Sequence, residues 1–231
     1  MPRTAASPPA VGVVCALEGE LGSLRARATG SRTVLGFTVL EIDVSGVALL
    51  VCVSGIGKVR AAHAAAALIA AGAERALLVV GTCGGLRREL VPGALVHCTV
   101  AAQVDLAVRE GREIPSDPAL RAAWAAVAPG AQGWFLTADR PVLSPWRRLR
   151  LARAFAGPCV AEMETAAVAG VARGAGVPWA ALRAVTDRAT FLGAREFRQH
   201  YPTCAGLAAD TVERLVTSPE FGSVAPPRGA R

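Results

Sequence analysis

The sequence predicts an α/β fold, a three-layer α/β/α sandwich around a central mixed, mostly parallel sheet. Short apolar runs typical of buried strands alternate along the chain with alanine-rich runs typical of helices. The strand-like runs also end in carboxylates or glycine-rich turns, and open α/β sheets bind ligands at the carboxyl ends of their strands. At 231 residues and 52% hydrophobic composition, we expect one domain with a substantial core.

In the first half of the chain, each predicted strand leads into a candidate binding element. Strands are predicted at residues 11–16, 47–53 and 76–80, and two shorter strands within residues 33–44 reverse direction near Gly36. The first strand delivers Glu18 and Glu20 to the start of a helix. The second ends in the glycine turn 54–58, before an alanine-rich helix, and the third ends in the glycine turn 81–85.

The second half of the chain repeats this alternation. Strands are predicted at residues 94–100, 134–137 and 179–185, and helices at residues 118–127, 165–173 and 194–216, the last interrupted near Pro202. Ser144 and Pro145 are typical of a helix start, here of a helix rich in arginine. Gly174 and Gly176 end the helix 165–173, because glycine commonly terminates helices.

Residues 11–217 are predicted to form one domain between two disordered segments, residues 1–10 and 218–231. The first segment lacks the apolar core of a signal peptide, and the last is rich in Pro, Gly and Ser. No run reaches the ~18 apolar residues of a membrane span. The six cysteines lie in apolar runs without CxxC or Cys/His spacing, so we expect buried thiols in a reducing compartment, the cytoplasm.

The formal net charge of +7 raises the question of a nucleic-acid partner. The arginines are dispersed, however, and the one local cluster (Arg147, Arg148, Arg150 and Arg153) has the pattern of a solvated helix face. Aromatic side chains for base stacking are scarce, since Tyr201 is the only tyrosine. The sequence therefore favours neither a nucleic-acid nor a membrane partner.

The glycine turn 54–58 fits neither of the two common nucleotide-binding fingerprints. A Walker loop has a longer glycine spacing and a Ser or Thr after its lysine, where Val59 stands. A dinucleotide fingerprint has a third glycine where Arg60 stands. These differences disfavour a flavodoxin-like or NAD-binding protein. The three histidines are isolated from one another, so the sequence predicts no metal site and no cofactor.

Three carboxylates flank one helix–strand unit: Glu162 and Glu164 precede the helix, and Asp187 follows the strand. Because helix amino ends and the carboxyl ends of parallel strands share one edge of a sheet, we expect these side chains to face the same crevice. Each also has a purely structural interpretation. Acidic residues stabilise helix amino ends, which would equally explain Glu18 and Glu20, and aspartate is a common turn residue.

Five motifs, in this order, resemble the nucleoside phosphorylase/nucleosidase superfamily. They are Glu20 after the first strand, Ser-Gly-Ile-Gly-Lys-Val at 54–59, Gly-Thr-Cys-Gly-Gly at 81–85, Ala-Glu-Met-Glu at 161–164 and Thr-Asp at 186–187. Within the superfamily the chain looks most like the methylthioadenosine/S-adenosylhomocysteine nucleosidases, over roughly residues 11–216. The resemblance implies hydrolysis of the N-glycosidic bond of a 5′-modified purine nucleoside, without a cofactor, by a homodimer.

The resemblance also assigns a role to each matching residue. Asp187 is expected to donate a proton toward N7 of the purine, and Glu20 to orient the attacking water as a base. Carboxylates around C1′ would stabilise the positive charge that develops there. The implied substrate-binding residues are Glu164 for the ribose hydroxyls, Met163 and Glu162 beside the sugar, Thr82 and Gly84 near the nucleophile, and Val142 at the base edge.

The nucleophile, water or phosphate, divides this superfamily. Phosphate is a dianion near neutral pH and needs cations around it. Related phosphorylases carry arginines where this chain has residues 79–80 and where it has Glu18 and Glu20. Carboxylates repel phosphate and suit water, so hydrolysis is favoured. Arg25 and Arg87 could still supply cations, so a phosphate-dependent purine nucleoside phosphorylase stays an alternative.

Two positions depart from the family pattern. Pro141 stands where the family places a ring over the base, and Arg188 follows Asp187 where the family often has alanine. A cation beside Asp187 would lower the pKa of that acid and hinder proton donation unless it points outward. These departures keep a futalosine or adenosyl-lipid nucleosidase open. A non-enzymatic nucleoside-binding module is a further alternative, disfavoured because such a module needs neither Glu20 nor Asp187.

Overall fold

Ten strands form one mixed sheet in the computed structural model, which describes residues 9–108 and 110–224. They are β1 (Val11–Cys15), β2 (Gly30–Val34), β3 (Phe37–Val44), β4 (Val47–Val53), β5 (Ala76–Gly85), β6 (Leu95–Gln103), β7 (Glu113–Pro115), β8 (Ala131–Thr137), β9 (Cys159–Glu162) and β10 (Trp179–Asp187). The strand order is β10-β6-β8-β9-β5-β1-β4-β3-β2, with β7 on β6. Strand β10 also pairs with β5, so β5, β10, β6, β8 and β9 close into a ring.

Helices cover both faces of the sheet. They are α1 (Lys58–Ala70), α2 (Pro118–Val127), α3 (Pro145–Ala154), α4 (Thr165–Gly174), α5 (Gly193–Cys204), α6 (Val212–Val216) and α7 (Pro219–Gly222), with 3-10 segments at Glu18–Arg27 and Ala209–Thr211. Helices α1 and α4 contribute to one apolar core, whereas α2, α6 and α7 contribute to a second. Helix α3 covers a third, smaller core. Apolar side chains from the sheet take part in all three cores, which gives the predicted layered arrangement.

The predicted α/β fold with a mixed, mostly parallel sheet is confirmed. Among the described strands, five pairings are parallel (β1–β4, β1–β5, β5–β10, β6–β8, β8–β9) and five are antiparallel (β2–β3, β3–β4, β5–β9, β6–β7, β6–β10), and the parallel pairings are the longer ones in total. The hairpins in the strand-rich part between β2 and β4 and the closure of the ring account for the antiparallel pairings. The parallel strands β1, β5 and β10 are the ones that carry the candidate site.

Strand β5 is longer than the sequence predicts. Residues 81–85, expected to form a glycine turn, continue the strand, and all ten of its residues are buried. The extension arises because β9 pairs with Gly84 and Gly85 where β1 no longer reaches. Strand β9, which the sequence analysis did not predict, is only four residues long. The end of β1 and the end of β9, which runs antiparallel to β5, thus leave an opening beside the middle of β5.

The helices follow their local sequence signals closely. Helix α2 begins and ends at the predicted residues, and its N-cap Asp117 accepts a hydrogen bond from Leu120 N. Ser144 caps α3 in the same way, with Pro145 in the first turn. The predicted last helix is broken after Cys204 rather than at Pro202, which lies inside α5 near its end.

The fold extends past both predicted domain boundaries. Ala10, expected in a disordered segment, is buried and exchanges main-chain hydrogen bonds with Gly72 and Arg75. Residues 219–222, also expected to be disordered, form α7, where Phe221 is buried and Arg75 packs over its ring. The remaining parts of the two segments, residues 1–8 and 225–231, lie outside the described residues. All six cysteines are buried free thiols, and none of the helices in residues 9–108 and 110–224 is long and apolar enough to cross a membrane.

Candidate active site

A pocket of about 290 Å³ opens beside β5. Its floor comes from the end of β1, the middle of β5 and the ends of β9 and β10, and α5 and the segment after β8 form its rim. The carboxylates that line it are Glu20, Glu162, Glu164 and Asp187, and the two lining cations are Arg140 and Arg183. The remaining polar and apolar lining includes Leu17, Ile56, Thr82, Gly84, Pro141, Val142, Leu143, Met163, Thr186 and Phe197. All eight residues that the sequence analysis assigned to the site line this one pocket.

Glu20 accepts four hydrogen bonds, two from Thr82 of β5 and two from the segment that follows β1. Its Oε1 accepts from the main-chain N and from Oγ1 of Thr82, both at 2.8 Å. Its Oε2 accepts from the main-chain N of Ala16 at 3.0 Å and of Leu17 at 3.1 Å. Only 1% of Glu20 is exposed. The Glu20 carboxylate therefore accepts the hydrogen bond of Thr82 N at a point of β5 that β1 no longer reaches. This arrangement also brings the Thr82 hydroxyl and the Glu20 carboxylate together at the pocket floor.

Two glycines of β5 let carboxylates approach the strand. A Cβ on Gly81 would lie 2.8 Å from Glu20 Oε1, and Gly81 has φ +143°, which disfavours other residues. A Cβ on Gly84 would lie 3.0 Å from Asp187 Oδ1. The two contact points are three residues apart, roughly 10 Å along a strand. Glu20 and Asp187, which belong to different segments, thus approach the same strand at two separate points, and both line the pocket beside it.

A buried guanidinium holds the two glutamates of β9 and α4 together. Arg183 Nη2 lies 2.9 Å from Glu162 Oε2 and 3.0 Å from Glu164 Oε2, and the side chains of all three residues are at most 5% exposed. Arg183 Nη1 also donates to the carbonyl oxygen of Thr82 at 2.9 Å. Burial alone would lower the pKa of Arg183, but Glu162 and Glu164 hold it above its ordinary value. Arg183 is therefore a fixed positive charge.

Glu162 and Glu164 differ in how much of the carboxylate is free. Glu162 accepts from Thr137 Oγ1, from the main-chain N of Glu164 and of Thr165, and from Thr165 Oγ1, in addition to its ion pair. Glu164 accepts from Gly57 N at 2.9 Å and from Arg183. Burial raises the pKa of Glu164, an effect that Arg183 opposes. Protein donors thus occupy Glu162, whereas Glu164 retains acceptor capacity.

Asp187, at the end of β10, is less buried than the glutamates. Its Oδ1 accepts from Ala189 N at 2.8 Å and its Oδ2 from Thr186 Oγ1 at 3.0 Å. Burial raises the pKa of Asp187 above its ordinary value, while these two hydrogen bonds oppose the rise and Glu196 adds to it. The side chain of Arg188 is exposed, and its main-chain N donates to Glu196. Arg188 thus points outward, which is the arrangement in which the sequence analysis expected it not to hinder proton donation by Asp187.

The sequence analysis missed two residues of the pocket. Arg183 stands inside the apolar run of β10, and a charged residue in a strand buried on both faces requires a partner, so the run itself contained the signal. Phe197 of α5 supplies an aromatic ring, and its centroid lies 4.9 Å from that of the Tyr201 ring one helical turn later, with the two rings tilted by 36°. Pro141 lines the pocket where the family has its ring, so Phe197 is the aromatic side chain of the described lining.

Three residues considered as parts of the site lie elsewhere. Glu18 is exposed and pairs with Arg25, and both line a separate open groove rather than the pocket. Arg87 donates to the carbonyl oxygens of Gly157 and Phe155. Neither arginine lines the pocket. In the part of the chain that the structure describes, no group of three or more His, Cys, Asp or Glu is placed to bind a metal ion.

The chain is similar to known proteins over most of its length. The model of the Phosphorylase superfamily matches residues 10–217. The 5′-methylthioadenosine/S-adenosylhomocysteine nucleosidase of Shewanella baltica (strain OS185) is 30% identical over 198 residues, 78% of this chain and 84% of that protein. The nucleosidase of the same name from Shewanella piezotolerans is 29% identical over 216 residues, 85% of this chain and 94% of that protein.

Solved structures give the same result for the fold. The 5′-methylthioadenosine/S-adenosylhomocysteine nucleosidase from Neisseria meningitidis, in complex with methylthio-immucillin-A, matches with a TM-score of 0.84 and 28% identity, over 90% of this chain and 99% of that chain. The futalosine hydrolase of Helicobacter pylori strain 26695 matches with a TM-score of 0.85 and 23% identity, over 90% and 97%, a similarity of fold. The resemblance inferred from the motifs is thus confirmed, and the chain belongs to the Phosphorylase superfamily.

Proposed function

We propose that this pocket hydrolyses the N-glycosidic bond of a 5′-modified purine nucleoside and releases the base, as the names of its nucleosidase relatives suggest. One observation carries the proposal. Glu20 with Thr82, and Asp187, contact the same strand at Gly81 and Gly84 and line the same pocket. Cleavage of this bond needs a nucleophile on one side of C1′ and a proton for the base on the other, and these two groups are placed for that division.

Asp187 serves the leaving group in this proposal. A purine that departs without a proton carries a full negative charge, so a donor near N7 lowers the barrier. Burial raises the pKa of Asp187, which keeps the proton available at a higher pH than for a solvated aspartate. The Thr186 hydroxyl and Ala189 N fix the carboxyl group in place.

Glu20 and Thr82 serve the nucleophile. A water bound against them would donate to the Glu20 carboxylate and be oriented toward C1′. The cations of the described lining argue against phosphate in that position, since Arg183 is ion-paired with Glu162 and Glu164 and Arg140 lies on the rim. Phosphate would meet the Glu20 carboxylate with no unpaired cation at the floor.

Glu164 and Met163 serve the sugar. Glu164 is the floor carboxylate with acceptor capacity left, which suits the two ribose hydroxyls, and half-buried Met163 offers an apolar contact beside it. The developing positive charge on C1′ lies among ionised carboxylates, which stabilise it. Glu162, whose oxygens accept from protein donors, acts in our proposal as a positioning residue for Glu164 and Arg183.

The base and the 5′ group occupy the less polar part of the pocket. The backbone of Val142 is proposed to read the base edge, with Phe197 rather than Pro141 providing the ring beside it. Gly84 leaves the space that the base needs next to Asp187. The 5′ group is proposed to reach the rim, where Ile56 and Leu143 are partly exposed apolar side chains.

We also propose that the enzyme is a cytoplasmic homodimer. Ile56, just before α1, lines the pocket and is 53% exposed, and Val59, in the first turn of α1, is 82% exposed. A second copy that covers these side chains would close the 5′ part of the pocket. The six buried free thiols fit a reducing compartment. Light scattering of the purified chain tests the dimer, and a monomeric mass at assay concentration would contradict it.

The proposed reaction is tested by base release from a panel of 5′-modified and unmodified purine nucleosides, each assayed with and without phosphate. We expect free base and free sugar at a rate independent of phosphate, with the panel ranking the 5′ groups. A strict requirement for phosphate, with sugar 1-phosphate as product, would make the protein a phosphorylase. Saturable binding of nucleosides without release of base would make it a binding module.

A further inference from the structure

Lys58 joins three chain segments at the mouth of the pocket. Its Nζ donates to Asp105 Oδ1 at 2.8 Å, in the segment after β6, and lies 3.4 Å from Asp139 Oδ2, in the segment after β8. Its main-chain N donates to Asp139 Oδ1 at 3.2 Å, and Asp139 N donates to Asp105 Oδ2 at 2.9 Å. Lys58, Asp105 and Asp139, the mouth clamp, thus link the start of α1 to both segments.

Gly57, the residue before Lys58, makes a direct hydrogen bond to Glu164, the carboxylate that we propose binds the ribose. Gly57 N donates to Glu164 Oε1 at 2.9 Å, and Gly57 has φ +102°, which places its N–H in an orientation that other residues adopt only with strain. Lys58 follows immediately and is anchored at both its main chain and its side chain. A shift of Lys58 therefore moves the Gly57 N–H, which donates a hydrogen bond to Glu164.

The clamp depends on the lysine charge. Only 17% of the Lys58 side chain is exposed, and it holds two carboxylates that are 30% and 55% exposed. Burial on its own would lower the pKa of Lys58, but Asp105 and Asp139 raise it, so the ammonium group stays charged. Without that charge, two neighbouring carboxylates repel each other and the three segments lose their common partner.

We propose that Lys58 is a positioning residue for Glu164: by anchoring the start of α1 to Asp105 and Asp139, it aims the Gly57 N–H at the carboxylate that binds the ribose hydroxyls. The inference rests on the proposed function, in which Glu164 receives the sugar. It predicts that damage to the clamp weakens recognition of the ribose and leaves the groups at Glu20 and Asp187 in place.

The test compares 5′-methylthioadenosine with its 2′-deoxy analogue. For each variant, kcat and KM for adenine release are measured on both substrates; if no base is released, calorimetric titration gives the two affinities instead. In Lys58→Met we expect the ratio of kcat/KM, ribose over 2′-deoxy, to fall roughly tenfold, because a small misplacement can cost up to about 10²-fold. The change should lie mainly in KM, since Glu164 acts in binding.

Three further variants make the result specific to the clamp. Lys58→Arg should restore most of the ratio, because it keeps a cation. Asp105→Asn should lower the ratio in the same direction as Lys58→Met, and it provides the test if Lys58→Met does not fold. Arg32→Met removes a cation from the exposed pair with Glu41 on the edge strand β2 and should leave the ratio unchanged.

An unchanged ratio in Lys58→Met, or equal losses on both substrates, would overturn the inference. The proposed function fails separately, if the unmodified enzyme releases no base from either nucleoside. In that case the ratio of calorimetric affinities still decides whether Lys58 supports ribose recognition, with the same expected direction in each variant.

Discussion

Two carboxylates of the pocket, one glutamate and one aspartate, lie in opposite environments. At one end, Glu162 has its oxygens occupied by hydroxyls, main-chain N–H groups and the Arg183 guanidinium, with a side chain that is 1% exposed. At the other end, Asp187 accepts two hydrogen bonds, has no ion pair with Lys or Arg among the described residues, and is half-buried. One acid is fixed as part of the scaffold, and the other keeps access to a proton.

The position of a carboxylate in the sheet thus decides whether it is held as a charged partner or can carry a proton. Glu162 ends β9, where its partners Thr137, Thr165 and Arg183 are buried and a charge is stable only with a partner. Asp187 ends β10 at the edge that opens into the pocket. Burial without a cation raises its pKa, which suits a proton donor.

The largest effect on stability should come from removing Arg183, the cation that pairs with Glu162 and Glu164. Arg183→Met leaves Glu162 and Glu164 buried without their common partner, and we expect the free energy of unfolding to fall by about 3–5 kcal/mol. Urea denaturation measures the change. Arg32→Met, which breaks an exposed pair, is the matched control and should cost no more than about 1 kcal/mol. Similar losses in the two variants would contradict the scaffold role of Arg183.

The next largest effect should come from the other end of the pocket. Asp187→Asn keeps the shape of the side chain but cannot donate a carboxylic proton, and we expect kcat to fall by about 10²-fold or more. Steady-state base release measures this loss, and circular dichroism checks that the fold is retained. Turnover close to that of the unmodified enzyme would remove Asp187 from its proposed role.

The pH dependence of kcat/KM tests whether Asp187, unlike Glu162, acts as a proton donor. Because burial raises the pKa of Asp187, the protonated acid persists to a higher pH than in a solvated aspartate, and it is lost as the pH rises through that pKa. We therefore expect kcat/KM of the unmodified enzyme to fall with rising pH through this range. Asp187→Asn should lack that limb, and a profile that keeps it would assign the titration to another group.

A smaller effect is expected between the two ends, at Glu164. Glu164→Gln replaces a charged acceptor by a neutral one, and hydrogen bonds to charged groups contribute about 1.5–3 kcal/mol, so kcat/KM for ribonucleosides should fall roughly 10- to 100-fold. The 2′-deoxy analogues should lose less, because they lack one of the hydroxyls. Equal losses on both substrate types would place Glu164 outside ribose recognition.

The smallest effect should come from the carboxylate that lies outside the pocket. Glu18 and its partner Arg25 are 66% and 64% exposed, so Glu18→Gln should change the free energy of unfolding by no more than about 0.5 kcal/mol and leave base release unchanged. Glu20→Gln, two residues away, should reduce turnover strongly. The pair of variants separates a helix-end charge from a site residue, and a strong loss in Glu18→Gln would contradict that separation.

Local sequence signals were sufficient for the elements that depend on neighbours in the chain. The Asp117-Pro118 and Ser144-Pro145 starts gave helices α2 and α3, and the hairpin reversal at Gly36 lies between β2 and β3. These features involve hydrogen bonds and dihedral angles within a few residues, so the local residue types are sufficient to predict them.

Pairing between distant segments was harder to read from the sequence. Residues 81–85 have the composition of a turn, yet they continue β5 because β9 and β10 pair with them. Strand β9 is too short for a periodic pattern to emerge. The last predicted helix is interrupted near Pro202 as expected, and the break itself comes two residues later, after Cys204.

The fold class, the order of the motifs and eight residues of the pocket follow from the sequence alone, because buried strands and glycine-bearing strand ends are local patterns. Only the tertiary structure decided which acids are free. It paired Glu18 with Arg25 on the surface, filled the oxygens of Glu162, and placed Arg183 between two glutamates. The physical reason is that desolvation and charge pairing depend on neighbours brought together from distant parts of the chain, such as β5, β9 and β10.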